Sequence, residues 1–158
     1  MIIDQKLMDD LSTQAKANPR LRQSYDLRTE ATEACPEPGR RDNSQRMLNA
    51  LEPGTIMPIH RHRNSSETMV MVRGKLIERF YDDDGNITDE FVMEPLVAEQ
   101  GRNTNITNSS NNSEHSTTMV QIEAGRWHSL EVLEEGTVIF EAKDGAYATI
   151  VADDIMLR

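Results

Sequence analysis

The chain begins with apolar residues at four-residue steps, at Ile3, Leu7, Leu11 and Ala15. This spacing places the four side chains along one face of an α-helix. Pro19 ends the predicted helix, because proline has no amide hydrogen to continue the hydrogen-bond ladder. The stretch at residues 34–43 is rich in proline, glycine and charge, and it predicts a loop.

From Gln45 onward the pattern changes to short apolar stretches that alternate with polar residues and end at turns. The predicted strands include residues 68–72, 75–81, 87–95, 117–125, 128–136 and 137–145. Between two of them, "DDDGN" (residues 82–86) is typical of a hairpin turn. Many short strands at even spacing predict an all-β fold, either a sandwich or a small barrel.

One polar segment interrupts this rhythm. Residues Glu99 to Ser116 contain a single strongly apolar residue, Ile106. Such a segment cannot bury enough apolar surface to become part of a core, so we predict a disordered or mobile insert at about 99–116. The predicted organisation is an N-terminal helix and linker at residues 1–43, packed on a barrel formed by residues 44–158.

Composition and charge exclude several classes of function. A net charge of -10 over 158 residues makes nucleic acid and anionic membrane surfaces poor partners. No stretch approaches the roughly 18 apolar residues of a membrane helix. The first residues are too acidic for an export signal. We therefore expect a soluble cytoplasmic protein.

The stretch "GTIMPIHRHRNSSETMVMVRG" (residues 54–74) carries the clearest candidate chemistry. Side chains on a strand alternate between its two faces, so His60 and His62 project together while Arg61 points to the other face. Glu67 follows a short turn and opens the next strand, and a hairpin would return its carboxylate to the histidine pair. Two imidazoles and a carboxylate on one side of a hairpin indicate a metal site.

A fourth ligand is expected from a distant strand. Two further histidines occur, and His128 is the better candidate because it follows a glycine turn at the start of a predicted strand, whereas His115 lies in the polar insert. Three imidazoles and one carboxylate leave one or two coordination positions open, as in catalytic or ligand-binding metal sites. The predicted metal ligands are His60, His62, Glu67 and His128.

Four other residues are candidates for a substrate site, each with a structural alternative. Arg46 and Asn49 lie on opposite faces of one predicted strand; either could bind an anionic or sugar ligand from inside the barrel, or lie on a surface strand. Tyr81 could act as a general acid or base or pack at the barrel rim, and Arg46 is a second candidate for a catalytic role. Trp127 could stack on a sugar ring or belong to the core.

These residues resemble a known superfamily. The first cupin motif, G-x5-H-x-H-x4-E-x6-G, is matched at every fixed position by Gly54, His60, His62, Glu67 and Gly74. The second motif, G-x5-P-x-G-x2-H-x3-N, is matched in part. Its last glycine and its histidine are present as Gly125 and His128. Its other positions hold Thr117, Glu123 and Val132.

Within the cupins, residues 45–89 resemble the WbuC-type metalloproteins, as do "PRLRQSYDLR" and "FEAKDGAY". The tail "TIVADDIMLR" departs from that type. The resemblance implies a single jelly-roll-like cupin barrel, a homodimer, and a bound divalent metal (Zn, Fe, Ni or Mn, with Zn expected as isolated). It also implies an association with the biosynthesis of surface polysaccharides of the O-antigen type.

Three functions are compatible with these expectations. The first is a metal-dependent isomerase or epimerase that acts on a sugar or sugar nucleotide, with the metal as a Lewis acid. The second is an Fe(II) oxygenase, since three histidines and a glutamate also bind iron. The third is a non-catalytic protein that senses a small polar ligand through the metal.

Overall fold

The computed structural model describes residues 2–27, 44–96, 116–145 and 150–157. The predicted loop at 34–43 lies outside these ranges, as does the insert at 99–116 with His115, apart from Ser116.

The predicted N-terminal helix, α1, spans Gln5–Ala17. It begins where the Asp4 carboxylate accepts a hydrogen bond from the amide of Leu7 at 2.9 Å, which satisfies one of the free amides of the first turn. Leu11 and Ala15 are buried, as the apolar spacing predicted, whereas Ile3 precedes the helix and is exposed. No helix in the described ranges is long and apolar enough to cross a membrane.

Within the described ranges, eight strands form two antiparallel sheets, so the predicted all-β class with a short N-terminal helix is confirmed. The strands are β1 (Arg22–Asp26), β2 (Ser44–Leu51), β3 (Glu67–Arg73), β4 (Leu76–Tyr81), β5 (Ile87–Met93), β6 (Met119–Ile122), β7 (Trp127–Val132) and β8 (Thr137–Asp144). The first sheet has the order β1-β2-β8-β3-β6 and the second has the order β5-β4-β7. Strand β1 was not among the predicted strands.

A short extended segment at His60 pairs with β7 through a single antiparallel bridge and so adds a fourth member to the second sheet. Along the chain, β2, β3, β6 and β8 lie in the first sheet, and the His60 segment, β4, β5 and β7 lie in the second. This alternation between two sheets is that of a jelly roll, the architecture of cupins. The pairings of the described residues leave the two sheets separate rather than closed into one barrel.

The middle of the first sheet, around β2 and β8, is buried on both faces. Its outward residues, among them Leu48, Ala50 and Val138, pack against Leu11 and Ala15 of α1. Its inward residues meet the second sheet in an apolar core of Leu51, Met69, Met71, Leu76, Met93, Val132 and Ile139. Because strand side chains alternate, every second residue of β2, β3 and β8 faces this interior.

Gly74, at the turn between β3 and β4, allows the turn to lie directly against β8. Its φ is +81°, and a Cβ atom added there would lie 2.7 Å from the Cα of Thr137. Glycine is therefore required both by the backbone conformation and by the close approach.

Candidate metal centre

The His60 segment and β7 bring two histidines directly opposite each other. The amide of His60 donates to the carbonyl of His128 at 3.0 Å, and the amide of His128 donates to the carbonyl of His60 at 2.9 Å. Residues that exchange both hydrogen bonds in an antiparallel pair carry their side chains on the same face. The two imidazole centroids are accordingly 4.2 Å apart.

His62 joins this pair from the same segment. Its ring centroid lies 5.2 Å from that of His60 and 5.8 Å from that of His128. One nitrogen from each of the three rings lies within 4.8 Å of the other two. The Gly125 amide donates to the His62 carbonyl at 2.8 Å, which ties the turn before β7 to the histidine segment.

Two of the rings are oriented by the backbone. The Nδ1 atoms of His60 and His128 each lie 3.0 Å from a carbonyl oxygen two residues earlier in the chain, those of Pro58 and Arg126. A carbonyl can only accept, so each Nδ1 carries the proton and each Nε2 keeps a free lone pair. This is the arrangement that metal-binding histidines adopt.

Burial keeps both of these histidines neutral. Desolvation, reinforced by the neighbouring ring of His128, lowers the pKa of His60 to about 3. Desolvation also lowers the pKa of His128. Metal ions bind the neutral imidazole, so no proton has to be displaced from these two rings at neutral pH.

Glu67 opens β3, as predicted, and its carboxylate reaches the histidine cluster. Its Oε2 atom lies 3.1 Å from Nε2 of His62. Burial raises the pKa of Glu67, but the hydrogen bond with His62 and the positive charge of Lys143 outweigh burial and lower it to about 2. The group is therefore a carboxylate near neutral pH, the form that binds metals.

Lys143 contacts the same two atoms of His62 and Glu67. Its ammonium Nζ lies 3.0 Å from Nε2 of His62 and 3.2 Å from Oε2 of Glu67. It is the direct register partner of Glu67 on β8. The three histidines and Glu67 fit the donor set of a divalent metal, provided that the Lys143 ammonium moves away from Nε2 of His62 when that nitrogen coordinates.

The C-terminal segment holds the histidine segment from outside. Asp154 accepts hydrogen bonds from the Nε atoms of Arg61 and Arg63, and its carbonyl accepts from the amide of Arg61 at 3.1 Å. The Arg61 guanidinium also lies 4.2 Å from the ring centroid of Trp127. Arg61 thus points away from the histidine cluster, as strand alternation predicted.

A cavity of about 330 Å³ lies between the sheets, beside the histidines. Its wall includes the four predicted metal ligands and Asn49. Asn49 is buried and accepts a hydrogen bond from the hydroxyl of Ser24 on β1. Arg46 does not line the cavity, because it shares the outward face of β2 with Leu48 and Ala50. The structure brings Asn49 to the site and leaves Arg46 on the far side of the sheet.

Tyr81 and Trp127 form a third, small apolar cluster with Ile59 and do not line the cavity. The Tyr81 hydroxyl is hydrogen bonded to the Ser129 hydroxyl at 2.8 Å. The Trp127 indole donates to the carboxylate of Asp83 at 2.9 Å. Both aromatic side chains therefore pack beside the cavity and are not part of its wall.

Among the charged residues of the cavity wall that the sequence analysis missed, three lie on β4 and β8: Glu78, Glu141 and Lys143. Each continues the inward alternation of a strand, since Leu76 and Glu78 share one face of β4, and Ile139, Glu141 and Lys143 share one face of β8. A charged residue at an inward position of an otherwise apolar strand was the pattern that could have revealed them.

Taken together, the fold and this cluster define a jelly-roll protein with three converging histidines that could hold a metal ion. A family model described as "Domain of unknown function (DUF6016)" matches residues 3–93. The chain belongs to this family. No curated protein matches the chain.

Several solved structures share the fold at low identity. A sugar phosphate isomerase of the cupin superfamily from Silicibacter pomeroyi is 17% identical, with a TM-score of 0.48 over 79% of this chain and 60% of that one. The capsular polysaccharide assembling protein CapF of Staphylococcus aureus is 18% identical, with a TM-score of 0.46 over 68% of this chain and 24% of that one. KdgF from Halomonas sp. is 10% identical, with a TM-score of 0.49 over 82% of this chain and 84% of that one. At these levels the likenesses assign no activity to this chain.

Proposed function

We propose that this protein is a divalent-metal cupin that isomerises or epimerises a sugar, either free or as part of a sugar nucleotide. The observation that carries the proposal is the convergence of three histidines, two of them oriented by Nδ1 hydrogen bonds to backbone carbonyls. In this proposal His60, His62, Glu67 and His128 hold the metal. A metal bound there would polarise a carbonyl or hydroxyl oxygen of the ligand as a Lewis acid.

The size and lining of the cavity support a small polar ligand. A volume of about 330 Å³ is near the lower end of the roughly 300–1,000 Å³ of ligand sites. It suits a single sugar ring, so the remainder of a sugar nucleotide would lie outside. Asn49 can bind hydroxyl groups of that ring, and it is the predicted substrate-binding residue that reaches the cavity.

The WbuC-type relationship, a role in surface polysaccharide biosynthesis and a homodimer remain predictions from the sequence resemblance. Zinc remains the expected metal as isolated, with iron, nickel and manganese as the alternatives. The catalytic role predicted for Tyr81 and Arg46 is replaced in this proposal by groups that line the cavity.

The proposal is tested by metal analysis of the purified protein together with an activity screen. We expect about one divalent metal per chain, and conversion of a member of a panel of sugars and sugar nucleotides, followed by proton NMR. Conversion should proceed equally in air and under argon, and removal of the metal with a chelator should abolish it.

Two other outcomes would contradict the isomerase proposal. Oxygen consumption coupled to turnover would favour the Fe(II) oxygenase. Tight binding of a panel member by the metal-loaded protein without any conversion would favour the metal-dependent sensor, which the same donor set and cavity could serve.

A further inference from the structure

The cavity contains a second group of polar side chains that is separate from the predicted metal ligands. Glu78, on β4 of the second sheet, lines the cavity and is only 1% exposed. Among the described residues its Oε1 atom has no hydrogen-bond partner. A buried carboxyl oxygen without a partner costs free energy, and because Glu78 lines the cavity, this oxygen is available to a ligand that enters there.

Glu141 approaches the same space from the first sheet. It lies on the inward face of β8, between Ile139 and Lys143, and lines the cavity. Its carboxylate is hydrogen bonded by the side chain of Asn49 on β2. Glu78 and Glu141 therefore face the cavity from opposite sheets.

The surroundings of the two carboxyls favour their protonated forms. Burial, followed by the negative charges of Glu67 and Glu141, raises the pKa of Glu78 well above its ordinary value. Burial and the charge of Glu67 raise the pKa of Glu141 to about 8, against the opposing effects of Lys143 and Asn49. Arg79, the next residue on β4, lowers the pKa of Glu78 but points to the other face of the strand, where it pairs with Glu90 and Glu131. The cationic side chains in the cavity wall are Arg20, Arg22 and Lys143.

We propose that Glu78 and Glu141 form a catalytic carboxyl pair that touches the bound sugar from the two sheets and moves protons at its carbonyl and the adjacent carbon. This inference rests on the proposed function, since it concerns the same cavity and a sugar ligand. It adds two catalytic residues to that site.

At the end of the reaction, each of the two carboxyl groups has returned to its starting protonation state. The Glu141 carboxylate takes the proton from the carbon next to the sugar carbonyl, and the electron pair of that C–H bond forms the double bond of an enediol. The Glu78 carboxylic acid gives its proton to the carbonyl oxygen. In the second half Glu141 returns its proton to the other carbon, and Glu78 recovers a proton from the hydroxyl that becomes the new carbonyl.

Because Glu141 must be ionised and Glu78 protonated, the proposal predicts a bell-shaped dependence of the reaction rate on pH. The rate rises with pH as Glu141 ionises near 8, and it falls as Glu78, whose pKa is raised well above its ordinary value, loses its proton. The two groups interact, so both limbs report the pair as a unit.

The first test measures protonation directly and needs no substrate. Protein labelled with ¹³C at the glutamate Cδ positions is titrated by NMR, and Glu78→Gln and Glu141→Gln assign the two signals. We expect a midpoint near 8 for Glu141 and a midpoint well above the ordinary 4.5 for Glu78. Glu141→Gln should lower the midpoint of Glu78, because the negative charge of Glu141 is one of the causes that raise it. Midpoints of both groups near the ordinary 4.5 would overturn the proposal.

The second test measures transfer, as incorporation of solvent deuterium next to the carbonyl of neutral, carboxylated and phosphorylated reducing sugars. Each glutamine variant should reduce exchange by about 100-fold or more, the usual contribution of a general acid or base. Glu52→Gln is the matched control, since Glu52 is also buried with one carboxyl oxygen that lacks a partner among the described residues, but it lies outside the cavity.

The outcomes separate this proposal from the proposed function. Exchange by the wild type and by both variants at equal rates would overturn the carboxyl pair and leave sugar isomerisation intact. Absence of exchange by the wild type with every sugar, alongside the expected titration, would overturn sugar isomerisation and the transfer step with it.

Discussion

The inward-facing residues at the two ends of β3, β4, β7 and β8 differ sharply in polarity. At one end of β3, β4, β7 and β8 the inward residues are apolar: Met71, Leu76, Val132 and Ile139. At the other end the inward residues are polar or charged: Glu67, Glu78, His128 and Lys143. Alternation alone decides which residues face inward, and the position along the strand decides whether they form the core or the site. Packing at the apolar end stabilises the strands. The polar end can therefore hold charged residues that contribute little to the stability of the fold.

The largest expected effect is the loss of metal binding at the polar end. His128→Ala removes one of the three converging imidazoles, and we expect zinc affinity to fall by at least 100-fold in calorimetric titrations. His115→Ala is the matched control, since His115 was not predicted to be a ligand. Equal affinity for zinc in the wild type and His128→Ala would show that the cluster is not the metal site.

The apolar end should respond in the opposite way. Leu76 is fully buried in the core, and Leu76→Ala should lower the free energy of unfolding by about 2–5 kcal/mol, from lost burial and the cavity left behind. The zinc affinity of the folded fraction should change less than threefold. Denaturant unfolding and calorimetry measure the two quantities, and a large loss of affinity would show that the two ends are coupled.

A smaller effect is expected at the turn that joins β3 to β4. Gly74→Ala and Gly125→Ala both place a side chain at a positive φ, which costs about 1–3 kcal/mol. Only the first also forces a methyl group against Thr137, because nothing lies within 4 Å of a Cβ atom at Gly125. Thermal unfolding should therefore rank Gly74→Ala as the less stable variant. Equal melting temperatures would mean that the contact with Thr137 relaxes freely.

The smallest effect concerns Tyr81, beside the site but not in it. Tyr81→Phe removes the hydrogen bond to Ser129 and should cost about 0.5–1.5 kcal/mol of stability. Zinc affinity and deuterium exchange should stay within threefold of the wild type. A loss of exchange comparable to that of the Glu78 and Glu141 variants would restore the catalytic role predicted for Tyr81.

Much of the fold followed from local patterns. The helix Gln5–Ala17 and strands β3 to β8 lie where apolar spacing and turn residues predicted them. Strand β1 was missed because "RQSYD" has little apolar periodicity, and it is held in place by pairing with β2 rather than by its own propensity. Whether such a segment forms a strand depends on its neighbour in the sheet.

Some features of the site were likewise predicted from local sequence patterns, and others were not. The sequence by itself determined that His60 and His62 project together and that a turn returns Glu67, because both follow from strand period and short-range geometry. Tertiary structure alone decided that β7 lies against the His60 segment, that Lys143 pairs with Glu67, and that Glu78 and Glu141 meet across the cavity. Arg46 and Asn49 illustrate the limit: alternation placed them on opposite faces, but only the position of α1 and the second sheet determined which face is the interior. Those arrangements depend on contacts between residues distant in sequence, and no local pattern encodes them.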